Sequence, residues 1–163
     1  MSKTSFKVYC IENYSSYRRI PSTEVFRLFE SSGILEQLDV DYEDLHGMGK
    51  EWLMNYFDEW MCNQEIESKS IVSSHHLVKI AILPMVIGLL AKEHGITEDQ
   101  ALKVLYTSHI GSALDDDSLG LYGQGPIYLQ SLIDEEIKQT LLCSQSKEEL
   151  SKLCFEWIGN GLP

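Results

Sequence analysis

The chain has 163 residues, of which 44% are apolar and 10% aromatic, so it can build a hydrophobic core and is not an intrinsically disordered protein. Its 25 Asp and Glu outnumber its 13 Lys and Arg, which gives a net charge of −12. Such a surface repels phosphate backbones, which disfavours nucleic-acid binding and favours a basic protein partner. The alternative is that the acidity serves only to keep the protein soluble.

The first third of the chain predicts four helices. Apolar side chains at helical spacing occupy one face of residues 5–17, and the next stretch, "STEVFRLFESSG", repeats this pattern and stops at Gly33. A short third helix is expected over 34–45, and a fourth over 50–61.

The middle of the chain predicts a polar linker, 63–70, followed by a buried core helix. The most apolar segment, 77–91, is shorter than the ~20 residues that cross a bilayer, and it contains Lys79 and Pro84. The N-terminal stretch "MSKTSFKVYCIENY" lacks the uninterrupted apolar run of a secretion signal. We therefore expect a cytoplasmic protein that does not enter a membrane.

The last third of the chain continues with helices. Thr97 and Gln100 have the spacing of a capping box just before an apolar-periodic stretch. The remaining helices are expected over 109–114, 126–142 and 146–158.

The four cysteines show no CxxC spacing and lie in apolar, helical surroundings. A chain of this length with this core content needs no disulfide framework, so we expect reduced core thiols. They are Cys10, Cys62, Cys143 and Cys154.

The chain also shows an internal repeat. Residues 20–60 align with 96–136 at an offset of 76 without a gap, and 12 of the 41 positions are identical. About two or three identities are expected by chance at ordinary residue frequencies. With no strand-like alternation anywhere, the sequence predicts an all-α fold of two similar helical units and a closing helix. The predicted parts are a first unit (1–62), a linker (63–70), a second unit (71–142) and a C-terminal helix (146–158).

Each unit carries a glycine loop, "LHGMG" at 45–49 and "LYGQG" at 121–125. Glycines before a helix can hold a phosphate, but a Gly-x-Gly pattern without a preceding strand is weak evidence for this. The acidic stretches before both loops also repel an anion, so we interpret the glycines as structural joints. Gly47 and Gly123 are expected to end a helix in a left-handed conformation, and Gly49 and Gly125 to allow a close turn.

The sequence gives weak evidence for metal binding and none for a catalytic constellation. Asp115, Asp117 and Asp134 could hold a divalent cation, but the spacing of a calcium loop is missing, and a solvated acidic turn is favoured. No acid, base and nucleophile fall at a recognised spacing, so we expect no enzymatic activity and no cofactor. A small ligand-binding or metal-dependent enzyme that uses the acidic turn and the glycine joints is the competing hypothesis.

Aromatic residues offer a stronger indication of function. Trp52 and Trp60 lie on the fourth helix, whose core-facing stripe is assigned to Leu53, Tyr56 and Phe57. Large aromatic side chains at a rim are favoured anchors in protein interfaces. Alternatives are that Trp60 packs against the linker or the second unit, or that this helix forms a homodimer in a self-associating scaffold. The candidate interaction residues are Asp41, Asp44, His46, Trp52, Trp60, Asp115, Asp116, Asp117 and Tyr122.

The stretch "YCIENYSSYRRIPSTEVFRLFESSGILEQLDVDYEDLHGMGKEWLMNYFDEWM" (9–61) resembles a family of short bacterial helical domains of unknown function. The features that carry the resemblance are Glu24, Leu28, Phe29, Gly33, Tyr42, Leu45, His46, Asp58 and Trp60. Pro21 replaces the usual capping serine of that family, and "HGMG" replaces a more polar loop.

Members of this family are often encoded beside a putative ADP-ribosyltransferase-like toxin. The resemblance therefore implies an antitoxin or accessory role, with a basic toxin as the partner. The segment that begins "LAKEHGITEDQALKVLYTSH" is similar to a companion domain found in the same setting.

Overall fold

The computed structural model describes residues 1–61 and 75–142, with the backbone alone for 141 and 142. Over these residues the regular structure is helical and contains no strand, so the fold is all-α, as predicted. The α-helices are α1 (Lys3–Arg18), α2 (Ser22–Ser31), α3 (Ile34–Val40), α4 (Tyr42–Leu45), α5 (Lys50–Trp60), α6 (His76–His94), α7 (Glu98–Thr107), α8 (His109–Ala113) and α9 (Pro126–Leu142). Two short 3-10 turns, Asp117–Leu119 and Leu121–Gly123, connect α8 to α9. The predicted closing helix at 146–158 lies outside the described residues, as does the predicted linker.

Helices α1 and α6 pack against each other at the centre, and the other helices surround them. Helix α6 is apolar on most of its faces, which is typical of a helix with neighbours on several sides. Its Leu83, Val86 and Leu90 are buried, and from α1 Val8 and Ile11 join the same core. Helix α6 also contacts α7 and α9, while α1 contacts α2 and α5.

Local signals set several helix ends as expected. The capping box is confirmed, because the Gln100 backbone N–H donates to Thr97 Oγ1 at 3.2 Å and the Thr97 N–H donates to Gln100 Oε1 at 2.9 Å. Pro21 caps α2 without a side-chain hydrogen bond. The helix predicted over 34–45 is instead two helices, because the chain leaves the helical conformation at Asp41, where φ is −97° and ψ is 20°.

Two smaller predictions from the sequence concern the cysteines and a membrane span. Cys10 is a free, fully buried thiol, as expected, and burial raises its pKa; the other three cysteines lie outside the described residues. None of the described helices combines the length with the apolar character needed to cross a bilayer.

The helix bounds recur at the offset of 76. Helices α2 and α7 both span ten residues, 22–31 and 98–107, and α5 and α9 begin at 50 and 126. Helices α1 and α6 end at 18 and 94. These shared bounds do not conflict with a duplication of 20–60 as 96–136, which stays a prediction.

Contacts also recur at the same offset. Arg18 pairs with Asp58 at 3.6 Å, and the equivalent residues, His94 and Asp134, are 2.8 Å apart. The Nζ of Lys3 donates to the carbonyl of Asp39 at 2.8 Å, and in the second unit Lys79 Nζ donates to Asp115 Oδ1, also at 2.8 Å. These contacts do not conflict with the predicted repeat.

The residues that follow α1 and α6 give a test of local backbone strain. Arg19 has φ 58° and Gly95 has φ 64°, so both lie in the left-handed region. A side chain there costs about 1–2 kcal/mol, which glycine avoids. We expect Gly95→Ala to lower the free energy of unfolding by about 1 kcal/mol and Arg19→Gly not to lower it, as measured by urea denaturation. Equal losses in both variants would contradict this.

Candidate protein-interaction surface

A buried ionic network joins helices of the two predicted units (1–62 and 71–142). The Nζ of Lys79 on α6 is 2.8 Å from Glu12 Oε2 on α1 and 2.8 Å from Asp115 Oδ1, which follows α8. It also donates to Ser22 Oγ on α2 at 2.8 Å. Lys79 and Glu12 are 1% and 0% exposed. The network therefore joins helices of both units inside the core.

The remaining oxygens of this network also have donors. Tyr106 OH and Ser22 Oγ each donate to Glu12 at 2.9 Å, and the backbone N–H and Oγ1 of Thr23 each donate to Asp115 Oδ2 at 3.3 Å. Among the described residues, no cavity large enough for a water molecule opens between these side chains. A packed, fully bonded network without access for a substrate is structural.

The pKa values in the network follow from burial and charge. Burial raises the pKa of Glu12, and Lys79 opposes this shift. Burial alone lowers the pKa of Lys79, but Glu12 and Asp115 outweigh it, and the pKa is raised overall. Lys79 therefore stays protonated between the two carboxyl groups.

This network corrects one expectation. Asp115 was expected in a solvated acidic turn or at an interaction surface, but it is 7% exposed and is bound to Lys79 and Thr23. Glu12 and Lys79 had no predicted role. The sequence feature that could have indicated a buried ion pair is Lys79, a charged residue within the most apolar segment of the chain.

The weak metal hypothesis gains no support from the described residues. Asp134 lies 2.8 Å from His94 Nε2, and Asp116 accepts from the backbone N–H and the hydroxyl of Ser118. Within 1–61 and 75–142, no three His, Cys, Asp or Glu residues form a group that could hold a metal ion. Asp115, Asp117 and Asp134 are therefore not brought together as a metal site.

The glycine joints differ in part from the prediction. Gly33 lies between α2 and α3 and is left-handed, with φ 78°. The expectation is wrong for Gly47 and Gly123, since the described glycines with positive φ are Gly33, Gly95 and Gly120. The physical reason is that α4 ends in right-handed backbone at His46, and in the second unit the left-handed turn comes earlier, at Gly120.

The second pair of joint glycines is not sterically required. A Cβ at Gly49 or Gly125 meets no atom within 4 Å, so the backbone makes no close approach there. Gly49 is extended, with φ −69° and ψ 152°, which any residue can adopt. The loops connect helices, but their glycines are not needed for a tight turn.

An aromatic ridge, formed by Trp52, Tyr56 and Trp60, runs along the outer face of α5. The spacing of four residues places the three rings above one another. Trp52 stacks on Tyr56 with centroids 5.4 Å apart and planes 13° apart, and Tyr56 contacts Trp60 at 5.9 Å. Trp52 remains 47% exposed and Trp60 40%. Tyr56 was assigned to the core stripe, but it is only partly buried and links the two tryptophans.

The ridge is held in place by contacts within the first unit. The Trp60 indole N–H donates to the carbonyl of Ser32 at 3.1 Å, and the Tyr56 ring meets Phe57 edge-on at 5.7 Å. Among the described residues, Trp60 contacts Ser32 and Tyr56, and these contacts give no support to packing against the second predicted unit. A partner therefore meets aromatic side chains that are already ordered.

An acidic turn precedes the ridge along the chain. Burial raises the pKa of Tyr56, and the negative charge of Asp41 adds to this shift. Glu43 and Asp44 follow on α4 and are exposed. His46 is exposed too, and it stacks on Tyr42 with centroids 4.6 Å apart. Five of the predicted interaction residues thus lie in one unit: Asp41, Asp44, His46, Trp52 and Trp60.

The other predicted interaction residues belong to the second unit. Asp116 is exposed, Asp117 is half-buried, and Tyr122 stacks on His75 with centroids 3.7 Å apart. The positions equivalent to the ridge are occupied by Tyr128, Leu132 and Glu136, so the second unit has no aromatic ladder. The ridge distinguishes the first unit from the second.

The fold and this surface define a class, an all-α protein with an acidic and aromatic outer face. Residues 5–64 match the model of a family described as a protein of unknown function (DUF3791). The match covers the first unit and ends just after α5, and it confirms the resemblance to a small helical domain of unknown function. No curated protein and no solved structure matches the chain.

Proposed function

We propose that this chain is a non-enzymatic binding module whose acidic turn and aromatic ridge engage a basic protein. The observation that supports this most is the ordered but exposed ladder of Trp52, Tyr56 and Trp60. Tryptophan and tyrosine are the side chains most enriched among binding hot spots. Their faces also attract ammonium and guanidinium groups, by cation–π interaction.

Charge adds to this preference for a basic partner. The net charge of −12 attracts positively charged proteins over a distance, and this attraction weakens as salt rises. Acidic residues at the turn would then orient a partner while the rings bury apolar area at the centre of the contact. We also propose that the chain is cytoplasmic and binds its partner in that compartment.

The family resemblance suggests which partner this is. A domain encoded beside an ADP-ribosyltransferase-like toxin would serve as an antitoxin or accessory protein by covering a basic surface of that toxin. We propose this role for the chain, with the product of the adjacent reading frame as the partner to test.

Substitution of one ridge tryptophan tests the proposal. We expect Trp52→Ala to weaken binding to the product of the adjacent reading frame by about 2 kcal/mol or more, about 30-fold in Kd. The reason is that truncation removes the exposed end of the ladder without touching the buried core. Isothermal titration calorimetry at low and moderate salt measures the loss.

The matched control is Tyr128→Ala. Tyr128 is 50% exposed and occupies the position equivalent to Trp52 at the offset of 76. We expect this variant to bind as the wild type does. Absence of a complex at either salt concentration, or equal weakening by both substitutions, would remove the proposal. Dimerisation that is lost in Trp52→Ala, seen by light scattering, would replace it with self-association through the ridge.

A further inference from the structure

We infer that the cleft between α3 and α7 receives an arginine side chain of the basic partner; this rests on the proposed function and extends it. The cleft has a volume of about 280 Å³. Pockets for cofactors and drug-sized ligands span about 300–1,000 Å³, so this cleft is better matched to a single long side chain. It lies at the junction of the units, with α1, α2 and α3 on one side and α7 on the other.

The cleft combines an apolar floor with charged walls. Phe26 and Leu102 are 1% and 2% exposed, and Leu35 is partly buried beside them. Four carboxylates and two ammonium groups line the walls, which leaves a net charge of −2. The charged lining residues are Lys7, Glu30, Glu36, Asp39, Asp99 and Lys103.

The fold already uses this cleft to hold a cation. The Nζ of Lys7 lies 2.6 Å from Asp39 and 2.5 Å from Asp99, although Lys7 is only 3% exposed. Asp39 and Asp99 belong to different units, so the ammonium group bridges them. An incoming anion would have to compete with Asp39 and Asp99 for Lys7. An incoming cation is attracted instead, because the acidic residues that line the cleft outnumber the basic ones by two.

The chemistry of arginine fits these walls and this floor. Its apolar stem can lie along Phe26 and Leu35 while its guanidinium group stays near the opening. The planar fork of donors pairs with carboxylates more specifically than a lysine ammonium does. Asp99 stays accessible at the opening, since its side chain is 64% exposed. Glu30 is 41% exposed and pairs with Lys103 at 2.9 Å, so an incoming guanidinium group would share this carboxylate with Lys103.

The position of the cleft allows one partner to reach it and the aromatic ridge together. Helix α3 lines the cleft, while the carbonyl of Ser32, just before its start, accepts a hydrogen bond from Trp60 of the ridge at 3.1 Å. Val40, at the end of α3, is 77% exposed. A partner that covers the outer face of α3 would therefore contact the ridge on one side and the cleft on the other.

A peptide titration followed by NMR tests the inference on the full chain. The probe is a capped pentapeptide, Gly-Gly-Arg-Gly-Gly, and the comparison is the same peptide with citrulline in place of arginine. We expect saturable amide shifts in α3 and α7 with the arginine peptide, and no saturable shift with the uncharged citrulline peptide. Loss of a charge-assisted contact in Glu36→Lys should weaken binding of the arginine peptide about tenfold.

Glu135→Lys is the matched control, because it makes the same change of charge at an exposed position of α9 outside the cleft. We expect it to bind the arginine peptide like the wild type. No saturable shift, equal affinity for the citrulline peptide, or equal weakening in both variants would overturn the inference. The assay needs no partner protein, so its failure is separate from failure of the Trp52→Ala experiment, and either result can stand without the other.

Discussion

Lys79→Met is expected to destabilise the protein by about 3–5 kcal/mol, because it removes one partner of a buried ionic network and leaves Glu12 and Asp115 uncompensated. Both carboxylates are almost fully buried and lie within reach of the same vacated position. A domain of this size is stable by about 5–15 kcal/mol, so the loss is a large part of the total. Urea denaturation monitored by circular dichroism measures it.

The loss of unfolding free energy in Lys79→Met should be smaller at low pH than at neutral pH. Burial and the nearby Asp115 raise the folded-state pKa of Glu12, and Lys79→Met removes the opposite charge that opposes this shift. A carboxyl group with a raised folded-state pKa binds its proton more tightly in the folded protein than in the unfolded chain. It therefore destabilises the folded protein at pH values above its folded-state pKa, and this effect is absent at pH values below its unfolded-state pKa. We expect the loss in Lys79→Met to shrink as pH falls from 7 towards 4.

Two further variants keep this prediction testable if Lys79→Met fails to fold. Glu12→Gln should cost less, because it leaves Lys79 paired with Asp115. The triple variant Glu12→Gln, Lys79→Met, Asp115→Asn should be more stable than Lys79→Met, since no uncompensated charge remains in the core. A Lys79→Met protein as stable as the wild type at pH 7 would contradict this interpretation of the network.

Gly111→Ala has the second largest expected effect. A Cβ at this position would lie 2.1 Å from the carbonyl oxygen of Leu105 and 3.1 Å from its carbonyl carbon, so backbone must move. Overpacking typically costs about 1–3 kcal/mol, and a clash with backbone belongs at or above the upper end. We expect a loss of about 3 kcal/mol or more in the free energy of unfolding, measured in urea.

Gly88→Ala is the control for Gly111→Ala. Gly88 lies inside α6, and a Cβ there meets no atom within 4 Å. Alanine is favoured over glycine in a helix interior by about 0.5–1 kcal/mol, so this variant should be slightly more stable than the wild type. A destabilising Gly88→Ala or a neutral Gly111→Ala would show that the packing around these helices is described incorrectly.

The helices were predictable because their signals are local. Periodic apolar residues and the Thr97–Gln100 capping box act within a few positions, and they determine where helices form and where α7 begins. The break at Asp41 was missed, since a single polar residue in a short acidic helix leaves no breaker signal of the kind that glycine or proline gives.

The site was predictable only where one helix carries it. The spacing of Trp52 and Trp60 indicates a shared face of α5, but the bridging role of Tyr56 depends on how much of that face the neighbouring helices cover. The burial of Asp115 depends on Lys79, which is 36 residues away in the chain, and on Glu12 in the other unit. Pairing at such separations is set by tertiary packing, and a single sequence does not encode it in any local pattern.

Hydrogen exchange on the complex with the product of the adjacent reading frame tests the central claim most directly. It reports which backbone amides a bound partner protects from solvent opening. The account predicts added protection in α5, in α3 and α4 around the acidic turn, and in the first half of α7, with α9 unchanged. Protection confined to α9, or no change along the ridge and the cleft while the complex is intact, would contradict it.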